Sequence, residues 1–471
     1  MADSPRLVLE QSSEAAALAP VLSTVLQAEL DRRLASIHAG FAAERAQGEE
    51  TLARDLRLWS ATHLRKGDGE RVLEVANRIR SLAKAVLVVG IGGSDLGGRV
   101  IHELLDAVNH NDLPEARRGG APKLYFAGNT FDPKPLLGIL DSLDIDGLLA
   151  ETVVVVISKS GTTGETIGAA LIVAEAMKAK GIDWRSRFVA VTGPNEKSVL
   201  YRMNEQQPFL GMLPIHDGVG GRFSVHTEVG LLPALVTASD PAGRLADAMA
   251  GVQAADDLFF LPPASPDNLA YRLAEQLHLH EVWGRRSSVV FYNYASDASL
   301  GAWFTQLLSE SIQERGSGLD VISVIGPTGN HSILNGLIRG PRNKFILFLA
   351  WDDLGPDLMI PGDTGIGGEM EAFERLGMSR VQAASLAGTQ QDVTANGVPN
   401  VTLRVARRDT VNLFCLFRVL MDAIAVKGKL QCLDVSDDGA IDPTQELTYL
   451  QHGVEGYKQR TREAAKAMHT G

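Results

Sequence analysis

The chain has 471 residues, of which 45% are hydrophobic and 22% are charged. This composition is typical of a folded protein with buried cores and excludes general disorder. At about 150 residues per domain, the length predicts roughly three folded units, or two large ones with appendages. The net charge of −12 disfavours polynucleotide partners, since nucleic-acid binders present a basic face. Glycine is over-represented, with 47 residues, against a usual share of ~7%.

The two cysteines, Cys415 and Cys432, are too few for a disulfide framework. We expect both to be buried thiols of a protein in the reducing cytoplasm. The first residues lack the basic and apolar regions of a signal peptide. The longest apolar stretch, near Leu413, is interrupted by Arg418 and Asp422. It therefore falls short of the run of about 18 residues that a membrane span needs, and we expect no membrane association.

Residues 1–60 are rich in alanine, leucine, glutamate and arginine, which predicts an N-terminal helical segment. After them, short continuous apolar runs alternate with helix-like stretches, as in parallel sheets that are covered on both faces. The predicted strands are residues 85–89, 124–127, 152–157, 188–192, 288–294, 321–325, 344–350 and 401–405.

A proline-rich break at residues 261–268 separates the first four predicted strands from the last four. We therefore predict an α/β protein with two tandem parallel-sheet units, at residues 61–262 and 263–435. The remaining residues, 436–471, are predicted to form an acidic, turn-rich segment followed by a terminal helix.

The clearest chemical signal is the SKSGTT loop, residues 158–163, which lies between a predicted strand and a predicted helix. Ser158, Ser160 and Thr163 supply hydroxyls and Lys159 an ammonium, next to the amides of a helix N-terminus. These are the donors that a phosphate dianion requires. A helix cap would need one hydroxyl, and the order of a Walker loop is missing. The loop predicts a monophosphate site.

A second glycine-rich segment, the GIGGS loop of residues 90–94, also follows a buried strand. Gly93 and Ser94 stand where a backbone can approach an anion closely. A tight strand-to-helix turn that needs glycine only for its geometry is the alternative. A dinucleotide-binding fold is disfavoured, because Asp95 stands where its fingerprint requires a third glycine.

Four charged side chains complete the set of candidates. Arg222 follows two glycines, and a fixed cation there would stabilise developing negative charge, although a surface arginine is the plain alternative. Glu310, near the packed face of a helix, is a candidate base or an exposed helix residue. His331, predicted to be partly buried after a turn, is a candidate acid or base, although a structural histidine is the more common alternative. The residues around Lys458 indicate only a solvated lysine. The sequence contains no metal-binding motif, and we predict no metal.

Together these segments resemble the glucose-6-phosphate isomerase family, whose members carry similar motifs in the same order. The matching segments are GIGGSDLG (90–97), SKSGTTGET (158–166), GGRFSV (220–225), Glu310-Ser311, GNHS (329–332) and GVEGYK (453–458).

The resemblance implies two flavodoxin-like sugar-isomerase domains, with α/β/α layers, an N-terminal helical segment and a C-terminal helical tail. It implies isomerisation of glucose 6-phosphate and fructose 6-phosphate through a cis-enediol(ate), in glycolysis and gluconeogenesis, with no cofactor. The phosphate would bind to Gly93, Ser94, Ser158, Lys159, Ser160, Thr163 and Gln451.

In the same way, the resemblance implies that Glu310 moves the proton and that Arg222 stabilises the enediolate. His331 would open the sugar ring with help from Lys458. The family is homodimeric with a shared site, so His331 is expected to act across the interface. An isomerase of another phosphosugar, or a regulatory protein that binds a phosphosugar without converting it, are the alternatives.

Overall fold

The computed structural model describes residues 5–12, 24–65, 67–314, 316–363, 365–435 and 446–469. Ten strands lie within these ranges. They are β1 Leu7–Gln11, β2 Ala85–Val89, β3 Lys123–Ala127, β4 Thr152–Ile157, β5 Phe188–Thr192, β6 Gly211–Pro214, β7 Ser288–Asn293, β8 Asp320–Ile325, β9 Lys344–Asp353 and β10 Asn400–Arg407.

The α-helices of the described residues are α1 Thr24–Gln47, α2 Glu49–Arg54, α3 Asp68–Leu82, α4 Leu96–Leu105, α5 Pro133–Ile145, α6 Gly164–Ala179, α7 Val199–Gln206, α8 Glu228–Thr237, α9 Pro241–Phe259, α10 Leu269–His278, α11 Ser299–Ile312, α12 Leu334–Arg339, α13 Met378–Ala395, α14 Thr410–Val435 and α15 His452–Met468. Short 3₁₀ helices are Leu58–Leu64, Gly92–Ser94, His110–Asp112, Glu115–Arg118, Leu149–Glu151, Trp184–Arg187, Gly221–Phe223, Thr328–His331 and Gly368–Ala372, and a π-helix spans Leu279–Trp283.

The strands form two five-stranded sheets, one after the other along the chain. The first has the order β3-β2-β4-β5-β6 and is entirely parallel. The second has the order β1-β10-β9-β7-β8 and is parallel except for its edge strand β1, which runs antiparallel to β10. The predicted α/β fold with two tandem parallel sheets is confirmed. The proposed domain boundaries stay a prediction.

Two strands, β1 and β6, were not predicted from the sequence. Strand β1 lies within the segment predicted to be helical, and four of its five residues are not fully buried, because it is an edge strand that pairs through its backbone. Strand β6 has four residues, begins at a glycine and ends at a proline. Neither segment carries the continuous apolar run that identified the central strands.

The core has a layered arrangement, because side chains alternate between the two faces of each strand. Val86 and Val88 of β2 join a central core that also contains the helices α8–α11 and α14. Leu87 and Val89 face the other way and pack against α5–α7. The second sheet likewise has its own outer cluster with α12 and α13. Helices thus cover both faces of both sheets, and a shared helical layer lies between them.

Helix α14 contains the apolar stretch near Leu413 that was too short for a membrane span. Arg418 and Asp422 are both buried in it and bind each other, with Nε of Arg418 donating to Oδ2 of Asp422 at 2.8 Å. Burial raises the pKa of Asp422 to about 6, although Arg418 opposes the shift. Among the described residues, no helix has both the length and the hydrophobicity needed to cross a bilayer.

Candidate active site

The candidate residues of the first sheet lie at the carboxyl ends of its strands. The GIGGS loop follows β2 and the SKSGTT loop follows β4, and these two strands are hydrogen-bonded neighbours. The chain leaves β2 toward β3 on one side and returns as β4 on the other. A crevice at such a switch point is where parallel α/β sheets bind ligands.

The SKSGTT loop is held by its own hydroxyl groups. Ser158 is buried, its Oγ lies 3.2 Å from Oγ1 of Thr163, and it accepts a hydrogen bond from the amide of Gly161 at 3.1 Å. Oγ of Ser160 lies 2.9 Å from Oγ1 of Thr162. Thr163 is the N-terminal cap residue of α6, but its side chain does not cap the helix. The hydroxyls therefore shape a polar turn at the positive end of α6.

Lys159 joins this loop to the segment that carries Arg222. Its side chain remains accessible to solvent, and Nζ donates to the carbonyl of Val219 at 3.0 Å. Packing around the ammonium lowers the pKa of Lys159, and the Asp217 carboxylate opposes the shift. The cation thus stands between two loops at the mouth of the crevice.

The GIGGS loop packs directly on the backbone before Arg222. A Cβ added at Gly93 would lie 2.1 Å from the carbonyl carbon of Gly221, so only glycine permits this approach. Gly92 has a φ of +59°, and a Cβ there would lie 2.8 Å from Nε2 of Gln306 on α11. The loop after β2 therefore contacts both the Arg222 segment and the helix that carries Glu310.

Arg222 is almost fully buried and uses all three guanidinium nitrogens. Nε donates to Oγ of Ser311 at 2.8 Å, and Nη1 donates to Oε2 of Glu310 at 3.2 Å. Nη2 donates to the carbonyls of Thr448 and Leu450 at 2.6 and 3.0 Å. Burial lowers the pKa of Arg222, and the Glu310 carboxylate opposes this shift. An arginine remains charged even so, which gives the site a fixed cation.

Glu310 lies on α11 beside the buried residues Trp303 and Leu307, as its spacing predicted. The side chain of Glu310 is 26% exposed, so one side of the carboxylate is open to a ligand. Oε1 accepts a hydrogen bond from Nε2 of Gln306 at 3.2 Å, and Oε2 accepts the one from Arg222. The carboxylate is thus fixed by two donors without being enclosed.

The C-terminal segment also contacts Arg222, from the far end of the chain. Arg222 binds the carbonyl of Leu450, and Gln451 follows directly as the exposed N-terminal cap residue of α15. Six residues further, the hydroxyl of Tyr457 donates to Oε1 of Glu165 at 3.1 Å, next to the SKSGTT loop. Lys458 is partly buried on this helix. Of the preceding acidic segment, residues 436–445 lie outside the described residues.

His331 lies at the end of the edge strand of the second sheet. It ends the 3₁₀ helix after β8, in the second sheet, and it is exposed. The prediction of a partly buried histidine is therefore wrong for the single chain. β8 is the edge strand of its sheet, so no strand of the described residues pairs with its outer side. Within the described residues, no hydrogen bond joins His331 to Arg222 or Glu310.

Two residues that position the site were not singled out from the sequence. Gln306 precedes Glu310 by one helical turn, a spacing that places both on one face and could have identified it. Ser311 was noted only as the neighbour of Glu310, yet its hydroxyl binds Arg222. No local signal connects Ser311 with an arginine that is 89 positions away.

Comparison with known proteins identifies the family of the chain. The family model described as Phosphoglucose isomerase matches residues 74–317, more than half of the chain. The glucose-6-phosphate isomerase of Rubrobacter xylanophilus is 34% identical over 399 residues, which are 83% of this chain and 87% of that relative. The chain belongs to the phosphoglucose isomerase family. A probable glucose-6-phosphate isomerase of Haloarcula marismortui is 31% identical, over 78% of either chain.

Two solved structures share the fold of this chain. A hypothetical protein from Thermus thermophilus superposes with a TM-score of 0.77 at 23% identity, covering 97% of this chain and 100% of that one. A glucose-6-phosphate isomerase from Chlamydia trachomatis superposes with a TM-score of 0.67 at 20% identity, covering 86% of this chain and 74% of that one.

Proposed function

We propose that this member of the phosphoglucose isomerase family interconverts glucose 6-phosphate and fructose 6-phosphate. The observation that carries the proposal is the position of Arg222 beside Glu310, at the end of the crevice that the SKSGTT loop borders. Proton transfer between adjacent carbons needs one base, one fixed cation and a remote anchor for the substrate, and these elements match that description.

The substrate phosphate binds to the SKSGTT loop, to Gly93 and Ser94, and to Gln451. Binding energy at the phosphate then holds the reacting carbons against the carboxylate. Ser158 and Thr163 are already connected by their hydroxyls, so the loop needs little rearrangement to receive an anion. Lys159 supplies the positive charge at its rim.

Glu310 removes the proton from C2 of the open-chain aldose and returns it to C1. One carbon is oxidised while its neighbour is reduced, so the reaction balances without a redox partner. The charge that builds up on the oxygens of the cis-enediolate is stabilised by the buried guanidinium of Arg222. Gln306 and Arg222 hold the carboxylate in place during the transfer.

Ring opening is assigned to His331 from a second copy of the chain, with Lys458 beside the ring oxygen. The exposure of His331 supports a homodimer in which each chain completes the other's site. We also place the protein in the cytoplasm. Cys415 and Cys432 are both buried thiols, which suits a reducing compartment.

The activity is tested with a coupled assay that converts fructose 6-phosphate to glucose 6-phosphate and reads an NADP-linked dehydrogenase. We expect NADPH formation that depends on this protein. No turnover by folded protein would contradict the proposal and favour a phosphosugar-binding regulator. Turnover of another phosphosugar alone would favour the alternative isomerase.

The shared site is tested by co-expressing H331A and E310Q chains. Neither variant should be active alone, whereas a mixed dimer would contain one site with both intact residues. We expect recovery of about a quarter of the wild-type activity if half of the dimers are mixed. Activity no higher than that of the single variants would contradict catalysis by His331 across the interface.

A further inference from the structure

Three side chains with metal-binding atoms meet in the first unit, and none of them was among the candidate site residues. Asp68 begins α3, His216 follows β6, and Glu228 begins α8; one ligand atom of each lies within 4.8 Å of the others. Nε2 of His216 is 3.4 Å from Oδ2 of Asp68 and 3.7 Å from Oε1 of Glu228. Both distances exceed the range of a normal N–H···O hydrogen bond, and this buried nitrogen has no hydrogen-bond partner.

The same distances fit a shared metal ion. Zn²⁺ binds nitrogen and oxygen at about 2.0–2.2 Å with tetrahedral geometry, which places neighbouring ligand atoms roughly 3.3 Å apart. The distances from His216 to the two carboxylates are close to this separation between ligand atoms. Small side-chain movements would therefore bring all three atoms onto one ion.

A second buried imidazole lines a cavity that two of these side chains also line. His226 is 2% exposed and, with Asp68 and Glu228, lines a cavity of about 20 Å³. A cavity of at least about 10–15 Å³ holds one water-sized occupant. Nε2 of His226 bonds to the carbonyl of Trp59 at 2.9 Å, so it carries the proton, and Nδ1 is buried without a partner. A backbone carbonyl on one ring nitrogen and a free lone pair on the other are typical of histidines beside metals.

The surrounding charges are also consistent with a cation. Asp68 accepts hydrogen bonds from Arg65, at 2.8 Å, and from Arg71, which hold its carboxylate as outer partners hold a metal ligand. Glu228 is 4% exposed, and among the described residues no lysine or arginine forms an ion pair with it. Buried carboxylates are normally paired with a cation or coordinate a metal.

We propose that Asp68, His216 and Glu228 bind one Zn²⁺ or similar first-row divalent ion, with a fourth position open to water or His226. The ion ties α3 to both ends of the segment from His216 to Glu228, which carries Arg222 between them. Its role is to position that segment, and the inference does not depend on the proposed isomerase activity. The expectation of no metal rested on short motifs, whereas these ligands combine Asp68 with two residues of a distant segment, His216 and Glu228.

The test is metal binding by the full-length chain after treatment with a chelator. Equilibrium dialysis followed by elemental analysis should find one bound Zn²⁺ per chain, and Co²⁺ should give the visible absorption of a four-coordinate ion. In H216Q and E228Q we expect affinity to fall at least 100-fold, since even outer partners alter it 10–100-fold. H102Q is the matched control, because His102 binds Asp106 at 2.8 Å outside this cluster and should leave binding unchanged.

A second measurement covers the case in which the variants fold poorly. Zn²⁺ should raise the Tm of the wild-type chain, because a ligand that binds only the folded state stabilises it. It should leave the Tm of D68N unchanged, and Mg²⁺ should not replace it, since Mg²⁺ prefers six oxygen ligands. A wild-type chain that binds no Zn²⁺, or binds it as well in H216Q as in H102Q, would overturn the proposal.

Discussion

Nη1 of Arg222 lies 3.2 Å from Oε2 of Glu310, although 88 positions of sequence separate the two residues. The remaining nitrogens of the guanidinium bind Ser311 and the carbonyls of Thr448 and Leu450, so its position is fixed from three directions. One buried cation therefore connects the proposed base, the helix that carries it and the C-terminal segment.

Replacing Arg222 by lysine keeps the charge but removes the planar set of donors. We expect R222K to lower kcat by about 10²–10³-fold with a smaller change in KM, because a fixed donor acts mainly on developing charge. Steady-state kinetics in the coupled assay measure both. R244K is the control, since Arg244 also binds a carboxylate and a backbone carbonyl, through Asp106 and Ala234. Equal losses in the two variants would show a structural role only.

The contact of Gly93 with Gly221 is predicted to be asymmetric. The Cβ of G93A would lie 2.1 Å from the backbone of Gly221, whereas the Cβ of G221A would meet nothing closer than 3.8 Å. Overpacking typically costs about 1–3 kcal/mol, and here backbone meets backbone, so we expect the upper end for G93A. G221A should change stability by less than about 1 kcal/mol. Urea unfolding measures both, and equal midpoints would contradict this packing.

Lys159 gives a prediction about alkaline pH. Because packing lowers its pKa, the ammonium should lose its proton below the usual lysine range, and phosphate binding should weaken there. The alkaline limb of kcat/KM reports the free enzyme, so it should fall early in wild type. In K159R the limb should move to higher pH, since arginine stays charged. An unchanged limb would show that Lys159 does not set it.

Much of the fold was predictable because the central strands carry their own signal. Strands β2, β4 and β5 match the predicted bounds, since every residue in them is buried and apolar runs identify them directly. Strand β1 was missed because its pairing with β10 depends on residues almost 400 positions away. An edge strand of this kind carries little local pattern.

The candidate site was likewise predictable only in part. The SKSGTT loop was predicted from six consecutive residues, because its donors are adjacent in the chain. The Arg222–Glu310 contact depends on how α11 packs against the segment after β6, which no local spacing specifies. His331 was expected to be partly buried after a turn, and its exposure depends on the position of β8 at the edge of the sheet, which no local pattern specifies.

His280 should contribute to loss of stability in acid. It is fully buried, it stacks on Phe345 at 4.0 Å, and neither ring nitrogen has a hydrogen-bond partner. Burial lowers its pKa to about 3, below the ~6.5 of an unfolded histidine. The unfolded chain therefore binds a proton first, and the stability present above pH 6.5 declines as pH falls toward 3, by up to about 1.4 kcal/mol per pH unit for this group.

In H280L the free energy of unfolding should depend less steeply on pH, by the contribution of one proton. Stability at pH 7 should not fall much, because no hydrogen bond is lost. Urea unfolding at pH 7, 6 and 5 measures the slope. H469L, at an exposed position near the end of α15, is the control. The same slope in H280L and wild type would contradict the assignment.

The central claim is that Glu310 carries the proton between C1 and C2. The direct measurement is proton NMR of glucose 6-phosphate in D₂O with wild type, E310Q and the control E314Q, which changes a nearby carboxylate. We predict that wild type and E314Q incorporate deuterium at the transferred position. E310Q should bind the phosphosugar with near-normal affinity and show no incorporation above background. Deuterium exchange in E310Q at a rate close to that of wild type would contradict the account.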